Sequence, residues 1–486
     1  MSGPDLVIHG VVAVTVDAER RVLDDAWISV TADRISGIGT GSPPAGRQRL
    51  GGRDFIALPG LIDAHGHAGH GLVRAAGDGN GDLWFDICEA IYARASTPGF
   101  WRAEARLTQL ERLQSGVTTA VSLLGGGGDV MRTDSAEFGD VHAGATLESG
   151  LRTIMAVGPG RRPFPKRYAR PAANGRFAES EVDFAAQMAV SAELIGRWGD
   201  VIGRRTGTAL SLPVYTAAHL AADGAGIRAM SEAVADLRDR TGVLLTQDGH
   251  RSGSVAVAAD LCLLGPWAVL AHAVDLTGED IAALLRTGAN VAHNPSAIMS
   301  ILGRCPVPEL IDAGITVCLG SDASAPDRGY DMFRHMAQAM HYHRRHFRDA
   351  AILPEGKVLE MCTIDAARAL GLDRDIGSLE VGKKADIVLV NARRAHLYPP
   401  VMPVLRLTHF ANAADVDTVI VDGRVLMQGR VHPHLDEGEI LDEAAAEAGA
   451  AFSRAGFGPA HRREGTDIWR VSRRDSQPFR PSGDDD

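Results

Sequence analysis

Two histidines one residue apart, His65 and His67, close the apolar run Leu58-Pro59-Gly60-Leu61-Ile62-Asp63-Ala64. In an extended strand, residues i and i+2 point to the same side, so both imidazoles can face one point. Two neutral ring nitrogens on one side are a natural half of a site for a divalent metal. Three other apolar runs end in residues of similar chemistry. Val269-Leu270-Ala271 ends in His272, Asn290-Val291-Ala292 ends in His293, and Val317-Cys318-Leu319-Gly320-Ser321 ends in Asp322. Asp322 can bind a cation or accept the proton of an attacking water, which is the chemistry of metal-assisted hydrolysis. Singly, each residue has a plainer explanation. A lone histidine is more often a satisfied structural residue, and an aspartate at a strand end is commonly a helix cap. Delivered together at successive strand ends, they are hard to assign to chance.

Such a set needs a scaffold that gathers distant strand ends. Residues 58–372 supply a candidate, since short apolar runs alternate there with helical stretches. The runs include Thr118 to Leu124, Arg152 to Val157, Ala209 to Pro213 and Val243 to Thr246; Ala225 to Thr241 and Gly278 to Thr287 read as helices. This βαβα rhythm predicts an α/β fold with a parallel sheet covered by helices. A closed barrel would bring its strand ends to one mouth, but rhythm alone does not separate it from an open doubly wound sheet. Before and after lie two β-rich blocks, residues 1–57 and 373–430, the second with a hairpin at Asp422-Gly423. They are expected to form one small composite β-sandwich from both ends of the chain, followed by a polar tail over 431–486 that is frayed at its end. The Arg-, Pro- and Gly-rich segment Arg161 to Glu181 reads as a long loop and a candidate lid.

Composition narrows the function classes. Of 486 residues, 45% are apolar and 23% charged, which is globular composition. The net charge of −11 argues against general nucleic-acid binding. No apolar run reaches the length of a membrane span, and the first residues lack the plan of a signal peptide. Five scattered cysteines form no CxxC pair, which suits a reducing compartment. The expectation is a cytoplasmic enzyme with a small-molecule substrate, no nucleic-acid or membrane partner, and a homo-oligomeric state with a dimer as default.

Several other features attract weaker readings. Gly125 to Gly128 is a flexible loop without the Lys-Ser/Thr of a P-loop. His335, His341, His343 and His346, among Arg344, Arg345 and Arg348, read as a solvated helix face. His70 reads as a neighbour of the site or an exposed residue. Trp84 and His219 are candidates to wall a substrate pocket, as is His293. Phe85 reads as pocket wall or core.

The ordered segments resemble the amidohydrolase superfamily, in its triazine-hydrolase and guanine/cytosine-deaminase-like branch. Leu58 to His67 resembles the family's PGxxDxHxH strand. Ser115-Gly116-Val117-Thr118-Thr119 is similar to its SGxTT, His272 to its sixth-strand histidine, Val291 to Pro295 to its VxHNP, and Leu319 to Asp322 to its LGTD. Thr363 to Asp386 is similar to the barrel-exit signature. The resemblance implies a (β/α)8 TIM barrel with a composite β-domain and one catalytic divalent metal: zinc first, with iron, manganese or cobalt as alternatives. The family's fifth strand usually ends in HxxE, a metal-binding histidine and a proton-shuttling glutamate. Here Gln247 falls at the first place and His250 at the second.

By that resemblance the metal candidates are His65, His67, Gln247, His272 and Asp322. The catalytic candidates are Asp322, His272, His250 and Asp248, the last two to protonate a departing nitrogen. The implied activity is hydrolysis of a non-peptide C–N bond (amide, urea, carbamate or amidine) in a small organic or heterocyclic substrate. The first alternative is deamination of a purine, pterin or triazine-like ring, which absence of the glutamate disfavours. The second is a barrel that has lost catalysis and binds ligands only.

Overall fold

The computed structural model describes residues 3–76, 81–126, 130–171, 176–297, 303–322 and 328–457. The chain opens with β1 (Leu6–Val14), β2 (Val22–Thr31), β3 (Arg34–Thr40), β4 (Gln48–Gly51) and β5 (Phe55–Pro59). It then enters a parallel set: β6 (Leu61–Asp63), β7 (Val117–Leu123) and β8 (Arg152–Val157). After a detour through β9 (Lys166–Pro171) and β10 (Phe177–Val182), the set continues with β11 (Thr206–Ser211), β12 (Leu244–Gln247), β13 (Ala268–Ala271), β14 (Asn290–His293) and β15 (Val317–Leu319). The chain returns in β16 (Ile387–Asn391), β17 (Val416–Val421) and β18 (Arg424–Met427).

The eight strands of the parallel set pair in chain order. Closure follows from bonds between the last strand and the first. Ala64 N–H donates to the Leu319 carbonyl (3.1 Å) and Asp322 N–H to the His65 carbonyl (2.8 Å), with a parallel bridge between Gly66 and Asp322. The fold is therefore a barrel rather than an open sheet. Its interior follows the strand alternation. Ile62 and Ala64, Val121 and Leu123, Ile154 and Ala156, Ala209, Val269, Ala292 and Cys318 form one buried cluster, which Leu370, Leu372 and Ile376 join. The opposite parity, including Leu245, Leu270, Val291 and Leu319, packs outward in the larger core that the helices share. This alternation holds within the strands and continues to Asp322, whereas His65, His67 and His272 lie past the last residue of their strands, where the backbone turns and re-aims them.

The two β-rich blocks join in one sheet of order β18-β17-β16-β5-β1-β2-β3, with β4 beside β1. Asp422 (φ 47°) and Gly423 (φ 71°) are both left-handed, as a two-residue type I′ hairpin requires. The sheet is tied to the barrel through Arg152 on β8, which is fully buried and pairs with Asp386 and with Asp422 (2.7 Å).

Three segments differ from expectation. Arg161 to Glu181 is not an irregular loop: β9 and β10 form an antiparallel ribbon. Arg132 anchors it by donating to the Ala169 carbonyl (3.0 Å) as well as to those of Tyr92 and Ala93. The region after residue 430 is not all tail, because Glu437–Arg454 is a helix. It lies on the helix Pro98–Gln114 through Arg102, Arg106, Glu439 and Glu443. The expected fraying beyond residue 457 lies outside the described residues, as do Gly127 and Gly128. In the helix Met332–Phe347, His335 and His343 are buried while His341 and His346 are exposed. The solvated reading thus fails for the first two.

Candidate metal centre

β6 ends where the chain turns through Ala64 to Ala68, and both histidines there are buried. His67 Nδ1 lies 3.0 Å from the Gly125 carbonyl. Donation there fixes the tautomer and leaves the Nε2 lone pair facing the barrel axis. That Nε2 is 3.2 Å from Asp322 Oδ1 and 3.5 Å from Asp248 Oδ2. His65 Nε2 is 3.4 Å from Asp248 Oδ1 and 3.7 Å from Asp322 Oδ1. His272 Nε2 is 2.9 Å from Asp248 Oδ1. His65, Asp248, His272 and Asp322 each offer one ligand atom within 4.8 Å of all the others.

Backbone geometry delivers two of these residues. His272 (φ 73°) and Asp322 (φ 66°) sit in the left-handed region, which side-chain-bearing residues adopt only when surroundings enforce it. Asp322 also has its second oxygen held: Oδ2 lies 3.3 Å from Arg328 Nη2. His272 Nδ1 lies 3.5 Å from Asn294 Nδ2. His70 stacks on His67 with centroids 4.8 Å apart and planes 18° apart, and its Nδ1 is 2.5 Å from the Tyr92 hydroxyl. Trp84 meets His70 edge-on at 4.8 Å. His70 is thus buried beside the cluster rather than exposed.

Electrostatics make this an unusual place for unassisted side chains. Burial opposes charge on His65, yet the Asp248 and Asp322 carboxylates outweigh it and raise its pKa to about 9. Burial also opposes charge on Asp248 and Asp322, but the facing imidazoles, and Arg328 for Asp322, hold both well below the carboxylate range. One buried and one half-buried carboxylate among three imidazoles call for a cation. Neither ring nitrogen of His65 has a hydrogen-bond partner. Most nitrogen–oxygen spacings in the cluster, 3.2–3.7 Å, exceed ordinary hydrogen bonds. They suit donors that share one ion at roughly 2.0–2.2 Å each. The residues fit a divalent metal.

The structure does not bring every candidate to this point. Gln247 is turned away: its Nε2 donates to the carbonyls of Leu212 (3.3 Å) and Pro213 (3.4 Å), and its Oε1 lies 3.3 Å from His250 Nε2. His250 Nδ1 is 2.9 Å from Ser254 Oγ, and burial pushes its pKa down to about 3. His293 points outward from the barrel and meets His343 with ring centroids 5.3 Å apart. His219 caps its own helix, accepting from Thr216 N–H (3.0 Å). Phe85 is largely exposed, packed on Trp84. Residues not singled out from sequence are Arg328, Asn294 and Tyr92, and Asp248 was singled out only as an acid.

Comparison with known proteins gives the family and the fold. The model of the Amidohydrolase family matches residues 56–426. A 5-methylthioadenosine/S-adenosylhomocysteine deaminase of Moorella thermoacetica is 31% identical over 432 residues, covering 86% of this chain and 94% of its own. A 5'-deoxyadenosine deaminase of Methanosarcina mazei is 27% identical over 452 residues, covering 93% and 99%. Among solved structures, an adenosine deaminase from Xanthomonas campestris with bound zinc superposes with a TM-score of 0.79 at 22% identity, covering 93% of this chain and 99% of that one. An atrazine chlorohydrolase from Arthrobacter aurescens TC1 complexed with zinc gives a TM-score of 0.71 at 22% identity, covering 91% and 100%. At these identities the two structures show the shared fold.

Proposed function

The chain belongs to the amidohydrolase family and is a metal-dependent hydrolase of non-peptide C–N bonds, and from that premise we propose how its own residues perform the reaction. The reading rests on one observation: three imidazoles and two carboxylates from the ends of four barrel strands converge on one point. His65, His67, His272 and Asp322 would hold a single divalent ion there, zinc first. Asp248 fills the fifth-strand place that Gln247 was expected to take. When bound, the ion supplies Lewis acidity that makes water a nucleophile near neutral pH.

The remaining work falls to the chain. Arg328 engages Asp322 Oδ2, so Oδ1 is the oxygen turned toward the cluster to take the water proton. Both ring nitrogens of His250 are engaged, by Gln247 and Ser254, which removes it as the proton donor to the leaving group. Asp322 then returns the same proton to the departing nitrogen. The His70, Tyr92 and Trp84 rings wall the site on the His67 side and exclude bulk water.

A second reading is deamination of an adenine nucleoside. It is favoured by relatives so named that cover nearly their whole length. Ammonia release across adenine nucleosides, pterins, triazines and acyclic amides separates the two, with metal content measured on the same samples. An active protein free of divalent metal, or a His67→Ala variant as active as wild type, would sink both.

The proposal also takes the enzyme as cytoplasmic and homodimeric. Among the described residues no helix is long and apolar enough to cross a membrane. Light scattering should then give twice the chain mass, and a mass equal to one chain would overturn the dimer.

A further inference from the structure

Behind the cluster lies a second buried arrangement, made by residues other than the candidate ligands. Asp63 sits on β6 two residues before His65, and Ser321 immediately precedes Asp322. Asp63 Oδ1 accepts from Ser321 N–H and Oδ2 from the Ser321 hydroxyl, both at 2.8 Å. The same Oδ2 accepts from Arg112 Nε (3.2 Å) and Nη2 (3.1 Å). Arg112 Nη1 donates to Ser122 Oγ on β7 (3.0 Å). The guanidinium lies 4.1 Å from the Tyr330 ring centroid, and the Tyr330 hydroxyl donates to the His67 carbonyl (3.5 Å). Asp63, Arg112, Ser122, Ser321 and Tyr330 are each at most 1% exposed. One cation thus ties the first barrel strand to the second directly and, through Asp63, to the segment carrying Asp322.

Gly66, between the two histidines, is shaped around this cation. A Cβ on Gly66 would stand 2.7 Å from Arg112 Nη2, 3.1 Å from the Asp322 carbonyl and 3.3 Å from the Val121 carbonyl. The backbone of Gly66 is not left-handed, so space alone reserves the position. The far end of an arginine would ordinarily yield. This one is held by three hydrogen bonds and a ring face in a close-packed interior.

We infer that Arg112 and Gly66 are a matched pair: Arg112 is a positioning residue that sets the spacing of His65 and His67 from Asp322, and Gly66 is the residue that lets it approach. The inference rests on the reading of those three side chains as ligands of one cation. A lysine cannot take the role, because it lacks the planar fork that reaches Asp63 twice and Ser122 once.

The test is a double-mutant cycle on the full-length protein. Zinc affinity is measured by competition with a chromophoric chelator, and the visible spectrum of the Co2+ form reports ligand geometry. Gly66→Ala and Arg112→Met are each expected to weaken zinc binding on the order of tenfold or more and to alter the Co2+ spectrum. The double variant should bind no more weakly than Arg112→Met alone, because the obstacle to the alanine is gone. Independent lesions would instead multiply. Arg112→Lys should behave like Arg112→Met, and it replaces that variant in the cycle if the methionine form does not fold. Gly66→Ala binding zinc as wild type does, or weakening it equally in both backgrounds, overturns the pairing while leaving the ligand reading intact. Wild type that binds no zinc overturns both.

Discussion

Gln247 and Asp248 are neighbours in the chain and opposites in space. The alternation that puts Leu244 with the barrel-interior residues and Thr246 beside Ala64 and Ile154 in a small interior cavity continues to Asp248. Gln247 has the other parity and holds the carbonyls of Leu212 and Pro213. Asp248→Ala is therefore expected to lower zinc occupancy and to reduce kcat/KM on the order of 100-fold. Gln247→Ala should keep the metal and lose only a few-fold. Metal analysis beside steady-state kinetics distinguishes them, and the reverse ranking would remove Asp248 from the ligand set. His65, His67, His272 and Asp322 were legible because each ends an apolar run. Asp248 was harder to read, since motif spacing placed the metal-binding register on Gln247, where strand parity counted from Leu244 points to Asp248. Arg112 carried its own signal. It falls in step with Trp101, Ala105 and Thr108 on the buried face of its helix, and a cation on such a face needs a buried anion. Arg328 had no local signal, because nothing in its neighbourhood of the sequence marks the ion pair it makes with Asp322.

At the scale of elements, the barrel strands were readable because both of their faces are buried, leaving continuous apolar runs. The β9–β10 ribbon was not, because it pairs only with itself and is docked by Arg132, far away in sequence. The histidine-bearing helix was misread by charge. Met332, His335, Met336, Ala339, Met340 and His343 are spaced by three and four and all buried, which is a core face that happens to include two imidazoles. The helix Glu437–Arg454 shows which contacts matter in such packing. Its ion pairs with Arg102 and Arg106 are partly exposed and worth about 1 kcal/mol or less each. Its buried seam of Ile440, Ala444, Ala451 and Phe452 carries more. Phe452→Ala should destabilise by about 3–5 kcal/mol, whereas Glu443→Gln should stay within about 1 kcal/mol. Denaturant titration followed by circular dichroism measures both, and equal losses would mean that the helix is held by its charges.

For the whole molecule, stability is expected to be coupled to the ion and to pH. Zinc at 100 times its dissociation constant should add about 2.7 kcal/mol, so chelation should lower Tm and added Zn2+ restore it. The pH dependence has two limbs, set by groups away from the cluster. Burial, helped by the Arg112 charge, pushes His142 down to about 3, and burial with Arg304 pushes His343 down to about 4. Between pH 6.5 and those values the unfolded chain binds protons that the folded chain refuses, so stability falls as pH drops through this window. Glu104 runs the other way. Burial raises it to about 7, so the folded chain keeps a proton there that the unfolded chain releases above about 4.5. Its contribution is full in acid and is lost as pH rises toward 7 and beyond. Each group is worth on the order of a few kcal/mol at about 1.4 kcal/mol per pKa unit. Glu104 and His142 lie 3.9 Å apart between two helices, so a neutral acid beside a neutral imidazole is the state these shifts favour at mildly acidic pH. Stability differences from wild type isolate each limb, because changes at the metal site cancel. His142→Gln should flatten the fall below pH 6.5. Glu104→Gln should flatten the fall between pH 4.5 and 7 while keeping an acceptor for Gly71 N–H, which Glu104 Oε1 now receives at 3.3 Å. A Glu104→Gln curve parallel to wild type across that window would mean that the buried carboxyl is already ionised there and is held by the Arg112 charge rather than by its proton.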